Sequence, residues 1–350
     1  MRKPYIKLPS LTAGRGVAAL FVAIHHACLT WGGVLSPLGN VGWLGVSYFY
    51  ILSGFVLTWS FSCETSVKEF YVHRLARIYP LHILCLLLSL LAYLFIRQPL
   101  AGYTGTPIGT IANVLLVHDW IPGHPEIRQA WNGVSWSLSA EFFFYLCAPF
   151  LIRFSMRTPN KILIDIALGI FVAHLTIGVL SVHFKLNAIY DFLIYHPIAR
   201  IPEFIYGIVA ARIIQSGYRV KLIKVMQYGL FVPLILYVLE AANANAIVMI
   251  DFSVPAFLVL LMSGASADIC NKSRPVFESL LQMVGEASFS LYMTHALLLG
   301  LMAGVVHYFH IVWHSSAFVV IFIVLSVVLS IVVYRLVELP LRKVCLKRFS

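Results

Sequence analysis

Two side chains in the first apolar stretch have the types and the spacing to do chemistry together. Arg15 and His26 lie eleven positions apart, and at about 100° per residue that separation closes to about 20° from a whole number of helical turns. On a helix both share one face, roughly 16 Å apart along the axis. Titratable groups inside apolar stretches cost free energy and are functional hypotheses by default. A guanidinium at one edge and an imidazole near the centre suit a long anionic donor. The first holds its phosphates through paired N–H groups, and the second, titrating near the operating pH, takes the proton of an acceptor hydroxyl as general base. The plainer reading is an arginine that snorkels to the interface and a histidine that bonds a neighbouring helix. His25 points about 100° away and replaces His26 only if the helix is rotated.

Other candidates follow along the chain. Arg74 and Arg77, three residues apart, occupy adjacent turns of one helical face and suit two phosphate groups, or act as ordinary inner-side anchors. Glu141 stands roughly 7 Å into an apolar span, where a carboxylate needs a partner or a proton. It could orient the His26 imidazole, bind sugar hydroxyls, or serve as a structural hydrogen-bond hub. Tyr292 and His295, at i and i+3, reach the centre of another span on one face. Ser53, beside Gly54, suits close helix approach more than nucleophilic attack. Trp120, Trp131, Trp136 and Tyr190 could stack on sugar rings, although each alone fits an interface anchor.

The elements that must position these groups follow from composition. Of 350 residues 60% are hydrophobic and only 11% charged, with a mean hydropathy of +0.89. That leaves too little polar surface to coat a water-soluble globule, so lipid is the solvent for most of the chain. The apolar runs are continuous rather than alternating, which selects helices over a barrel. We read an all-α, polytopic helical bundle with spans near 14–34, 41–61, 78–97, 136–152, 162–183, 199–214, 226–241, 247–265, 285–308 and 315–336, a single domain with no soluble domain appended. Only Arg97, Arg128, Lys185 and Arg200 of the 25 basic residues then fall on the outer side, so the positive-inside rule places both termini in the cytoplasm. The charge of +11 lies in short loops rather than on one soluble face, which argues against nucleic acid. The segment 98–132, punctuated by Gly and Pro, reads as an outer loop with a short re-entrant or interfacial helix around Ile111–Val117. Six cysteines without C-x-x-C spacing predict neither disulfides nor a metal site.

Seven blocks in order resemble the membrane-bound acyltransferase 3 family. They are Leu11-Thr-Ala-Gly-Arg15 through His25-His26; Gly45-Val-Ser47 through Ser53-Gly54-Phe55; Tyr71-Val-His-Arg74-Leu-Ala-Arg77-Ile-Tyr-Pro80; Trp136-Ser137-Leu-Ser139-Ala-Glu141-Phe-Phe-Phe-Tyr145; Arg200-Ile-Pro202-Glu203 through Gly207; Gly285 through Tyr292-Met-Thr-His295; and Tyr334-Arg335-Leu-Val-Glu338-Leu-Pro340. The second block carries Ser47 where the family usually has an acidic residue. The resemblance implies a core pair of Arg15 and His26, with His26 as general base or transient acyl carrier, and Arg74 and Arg77 on the phosphates of the donor. Ser53 joins the donor side, and Ser137, Tyr292, His295, Arg200 and Glu203 support the site or bind the acceptor. It implies O-acyl transfer, most simply acetyl, from acyl-CoA as co-substrate with no bound cofactor. The acceptor is a hydroxyl of a cell-surface polysaccharide or lipid-linked sugar, and the setting a bacterial inner membrane. Two competing readings are a proton-coupled transporter or flippase relaying protons through His and Glu, and a bis-histidine haem protein using His26, His174, His295 or His307.

Overall fold

The computed structural model describes residues 7–62, 64–96, 99–220, 245–270, 277–311 and 315–349, and among these the regular structure is helical, with one isolated bridge, Tyr103 to Ala130, in the loops between helices. Local sequence sets several helix starts. Pro9 and Pro197 occupy the first turns of α1 (Pro9–Trp31) and α10 (Pro197–Gln215), where the missing N–H is no loss. Asn245 caps α11 (Ala246–Ile269) by accepting from the Ile247 N–H.

Nine of the ten predicted spans are helical, and the remaining one, 226–241, lies outside the described residues. Among the described residues seven helices are long and apolar enough to cross a membrane: α1, α4 (Val67–Ile96), α7 (Trp136–Arg157), α8 (Asn160–His183), α11, α13 (Ser288–Tyr308) and α14 (Ser315–Val333) with its continuation. The predicted second span is α2 (Ser36–Gly42) followed by α3 (Gly45–Ser60), bent by 45° between them; taken as one span, the pair brings the count among the described residues to eight. α10 fills the sixth position but carries Arg200, Glu203 and Arg212. It tolerates them because α3, α7, α8 and α11 surround it and spare it the lipid.

α1 is the central post, packed against α2, α3, α11, α12 (Phe277–Glu286), α13 and α14. The α3–α10 contact is the tightest in the bundle, and its cause is two glycines. A Cβ on Gly54 would collide with the Phe204 carbonyl, and one on Gly207 with the Ile51 carbonyl. In lipid, where burial of apolar surface gives no driving force between helices, such close backbone approach supplies the dispersion energy instead. α4 begins eleven residues before the predicted span, so Arg74 and Arg77 belong to the same continuous helix as the apolar run. α14 passes through a π-helical turn, Tyr334–Glu338, into α15 (Leu339–Phe349), which packs back along α4.

The loop before α7 is more buried than its composition suggests. It holds α5 (Pro107–Val114) and α6 (Pro125–Arg128), and Asn113, Leu116, His118, Asp119, Ala130, Trp131 and Asn132 are buried. Asn113 donates to the Ala130 carbonyl, and Asn132 donates to the Met293 carbonyl of α13 at 3.0 Å. The loop is thereby tied to the helix that carries Tyr292 and His295.

Candidate active site

Two cavities meet inside the bundle. The first is a slot of about 90 Å³ lined by Arg15 of α1, Ser53 of α3, Arg74 and Arg77 of α4, and Ser137, Glu141 and Tyr145 of α7. The second is a chamber of about 830 Å³ lined by His25 and His26, Trp136, Tyr190, Asp191, Tyr195, Arg128 and Arg200, within the usual range of about 300–1,000 Å³ for small-molecule sites. Val46 of α3 and Tyr292 of α13 line both and form the partition. The Tyr292 hydroxyl is anchored there by the Ser137 hydroxyl at 2.6 Å and the Val134 carbonyl at 3.1 Å.

The slot is cationic. Among the described residues none of the Arg15, Arg74 and Arg77 guanidiniums has a hydrogen bond or ion pair, and Arg74 has only the Phe70 ring, 5.9 Å away. The carboxylate beside them, Glu141, accepts from the Ser53 and Tyr145 hydroxyls, each at 2.6 Å. Ser137, Glu141 and Tyr145 follow at i, i+4 and i+8, one stripe of α7 running from the partition into the slot. Glu141 thus faces α3 rather than α1, and it does not reach His26. Its depth was readable from the sequence; the face it turns was not.

The group that touches His26 is His295. His295 Nδ1 lies 2.7 Å from the Tyr292 carbonyl and 3.1 Å from that of Leu291. Carbonyls only accept, so Nδ1 carries the hydrogen and Nε2 a lone pair. That Nε2 lies 3.2 Å from His26 Nδ1, which also sits 2.9 Å from the Val22 carbonyl. Both neighbours accept, so His26 Nδ1 carries its hydrogen and Nε2 is left bare on a side chain that lines the chamber. This assignment follows from the network, and it leaves the basic nitrogen as the one without a partner among the described residues. His25 turns aside, its Nδ1 2.7 Å from the Gly39 carbonyl.

Arg200 and Glu203 form a closed pair. Arg200 donates through Nε and Nη2 to the two Glu203 oxygens at 2.6 and 3.1 Å, to the Ile194 carbonyl at 2.7 Å and to Ser47 Oγ at 3.0 Å. Ser47 therefore meets the Arg200 guanidinium as a neutral acceptor, with Glu203 supplying the countercharge. This pair braces the chamber wall, tying α10 to α3 and to the end of α9 (Asn187–Tyr195).

Three functional candidates were not singled out from sequence. Tyr145 was within a motif but unassigned. Glu338 is buried in the π-turn and accepts from Ser290 at 2.7 Å; π-turns recur at functional sites, yet nothing in the sequence marks one. Arg128 read as one of the few outer basic residues, and its packing partners come from α9, more than sixty residues on.

A family model described as an acyltransferase domain matches residues 8–335. The chain is 32% identical over 308 residues to the acyltransferase MdmB of Streptomyces mycarofaciens, covering 83% of this chain and 78% of that protein. It is 23% identical to a putative acetyltransferase of Acidianus two-tailed virus, covering 83% of each. Over 47% of this chain and 27% of the relative, it is 26% identical to the peptidoglycan O-acetyltransferase OatA of Listeria monocytogenes. No solved structure matches. A cationic slot, a histidine chamber and a match over nearly the whole chain lead to one assignment: this membrane protein belongs to the acyltransferase 3 family and is an acyltransferase.

Proposed function

We propose that the protein is an O-acyltransferase that takes an acyl group, acetyl in the simplest case, from acyl-CoA in the arginine slot. It passes the group to a hydroxyl of a cell-surface polysaccharide or lipid-linked sugar in the histidine chamber. The observation that carries this reading is the shared partition. Three unpaired guanidiniums on one side of Tyr292 and Val46 suit the phosphates of the donor, and the bare Nε2 of His26 lies on the other. The slot is narrow enough for an extended thioester arm and too small for a sugar, whereas the chamber has room for a sugar.

In this mechanism His26 Nε2 takes the proton of the acceptor hydroxyl as its oxygen attacks the thioester carbonyl. The C–S bond breaks, the ester C–O bond forms, and the proton on Nε2 passes to the departing thiolate. His295 Nε2 and the Val22 carbonyl both accept from His26 Nδ1–H and together hold the ring in the basic tautomer. Placing Arg74 and Arg77 at the cytoplasmic face, as the positive-inside rule does, gives ten crossings with both termini inside, donor entry from the cytoplasm, and a chamber open toward the outer face of a bacterial inner membrane.

Sidedness tests this. Radiolabelled acetyl-CoA is supplied to sealed inside-out and right-side-out vesicles containing equal protein. We expect label to enter envelope saccharide only in inside-out vesicles; equal labelling of right-side-out vesicles contradicts the proposed route.

A further inference from the structure

The two cavities differ in charge as well as in size. In the slot three arginines share one nearby carboxylate, Glu141, and none of them makes an ion pair among the described residues. In the chamber each arginine is already matched. Arg128 Nη1 lies 3.3 and 3.1 Å from the two Asp191 oxygens, and Arg200 is closed by Glu203. The other liners with titratable side chains are His25, His26 and three tyrosines, none of them a permanent cation. An anion entering this chamber meets no spare positive charge and the Asp191 carboxylate.

The Arg128–Asp191 pair is also built as a recognition surface. Arg128 comes from α6, and Asp191 and Tyr195 lie at i and i+4 on α9. The guanidinium lies 3.6 Å from the Tyr195 ring centroid, and Trp136 stands edge-on to the same ring at 5.1 Å. The Arg128 side chain is only 8% exposed, and its Nε is buried with no partner among the described residues. A planar donor whose Nη2 makes no hydrogen bond among the described residues, a carboxylate acceptor beside it and an aromatic corner form the combination that grips a ring of hydroxyls: the arginine donates, the carboxylate accepts, and the rings take the C–H face.

We propose that Arg128, Asp191, Tyr195 and Trp136 form the acceptor subsite, and that it selects an uncharged polyhydroxylated ring over a uronate or phosphorylated sugar. This rests on the acyltransferase reading given above. Selection against the anion is a matter of unpaired charge: a carboxylate placed here faces Asp191 with no free cation to meet it.

The test is acetyl transfer by the full-length protein in nanodiscs, where both faces are open, using labelled acetyl-CoA and matched pairs of methyl hexosides and their methyl uronates at tens of millimolar. We expect transfer to at least one neutral member and at least ten-fold less to its uronate. Arg128→Gln should raise the KM for the neutral acceptor at least ten-fold and leave the KM for acetyl-CoA unchanged. Asp191→Asn frees the Arg128 charge and should narrow or invert the preference, a gain of uronate transfer that misfolding cannot mimic. Uronates accepted as well as hexosides by the unaltered protein, or an Arg128→Gln variant with unchanged acceptor KM, overturns the subsite while transfer itself upholds the acyltransferase reading. Silence across the panel, with envelope material still labelled by cell membranes that carry the same protein, also overturns the subsite alone. No label on any material sinks both.

Discussion

His295→Phe separates two roles that the histidine pair could play. The substitution keeps a flat ring in a fully buried site but removes the Nε2 that accepts from His26 Nδ1–H at 3.2 Å. Because the same Nδ1–H has a second acceptor, the Val22 carbonyl at 2.9 Å, the basic tautomer of His26 survives. The loss is then that of one neutral hydrogen bond, about 0.5–1.5 kcal/mol, or roughly 2- to 12-fold in kcat. Were His295 the sole determinant of the tautomer, the loss would approach the ~10⁴-fold seen when a catalytic histidine is held in the wrong one. The assay is steady-state acyl transfer at saturating donor, with folding checked by thermal unfolding in detergent. A fall of three or four orders of magnitude in a folded His295→Phe protein, matching that of His26→Ala, refutes the assignment of His26 as base and His295 as its support.

Arg77→Gln removes one unpaired cation from the slot; a charged hydrogen bond of about 1.5–3 kcal/mol gives a rise of roughly 10- to 150-fold in the KM for acyl-CoA, measured with kcat unchanged at saturation. Gly207→Ala drives a Cβ into the Ile51 carbonyl and should cost about 1–3 kcal/mol or more, read as a lowered thermal midpoint in detergent; an unchanged midpoint contradicts the close α3–α10 contact. Asp119, buried in the loop with one oxygen unpartnered, has its carboxyl pushed well above the usual range by burial. The folded state then binds its proton more tightly than the unfolded state, so wild-type stability falls as pH rises above about 3.9, the unfolded value. Asp119→Asn removes that slope, and its thermal midpoint should gain on wild type as pH rises from 4 to 7; a constant difference across that range refutes it.

The helices were legible because lipid demands long apolar runs with internally satisfied backbones. The bend between α2 and α3 was not, since Trp43 and Leu44 continue the apolar run and nothing in their types breaks it. Within the site, the Arg15–His26 spacing carried real information: one straight helix puts the first in the slot and the second in the chamber. Spacing along one helix could not say which neighbour each side chain meets. Glu141 and His295 each suited support of His26 by depth, and only the rotation of α7 and α13 decides between them. The acceptor corner was least readable, since Arg128 and Asp191 are brought together by loop folding rather than by any periodic pattern.

The central claim is that His26 takes the proton of the acceptor in the transfer step. Radiolabel from acetyl-CoA on acceptor material should fall by about 10²–10⁴-fold in membranes carrying His26→Ala at a protein level equal to wild type; undiminished label in that variant contradicts the claim.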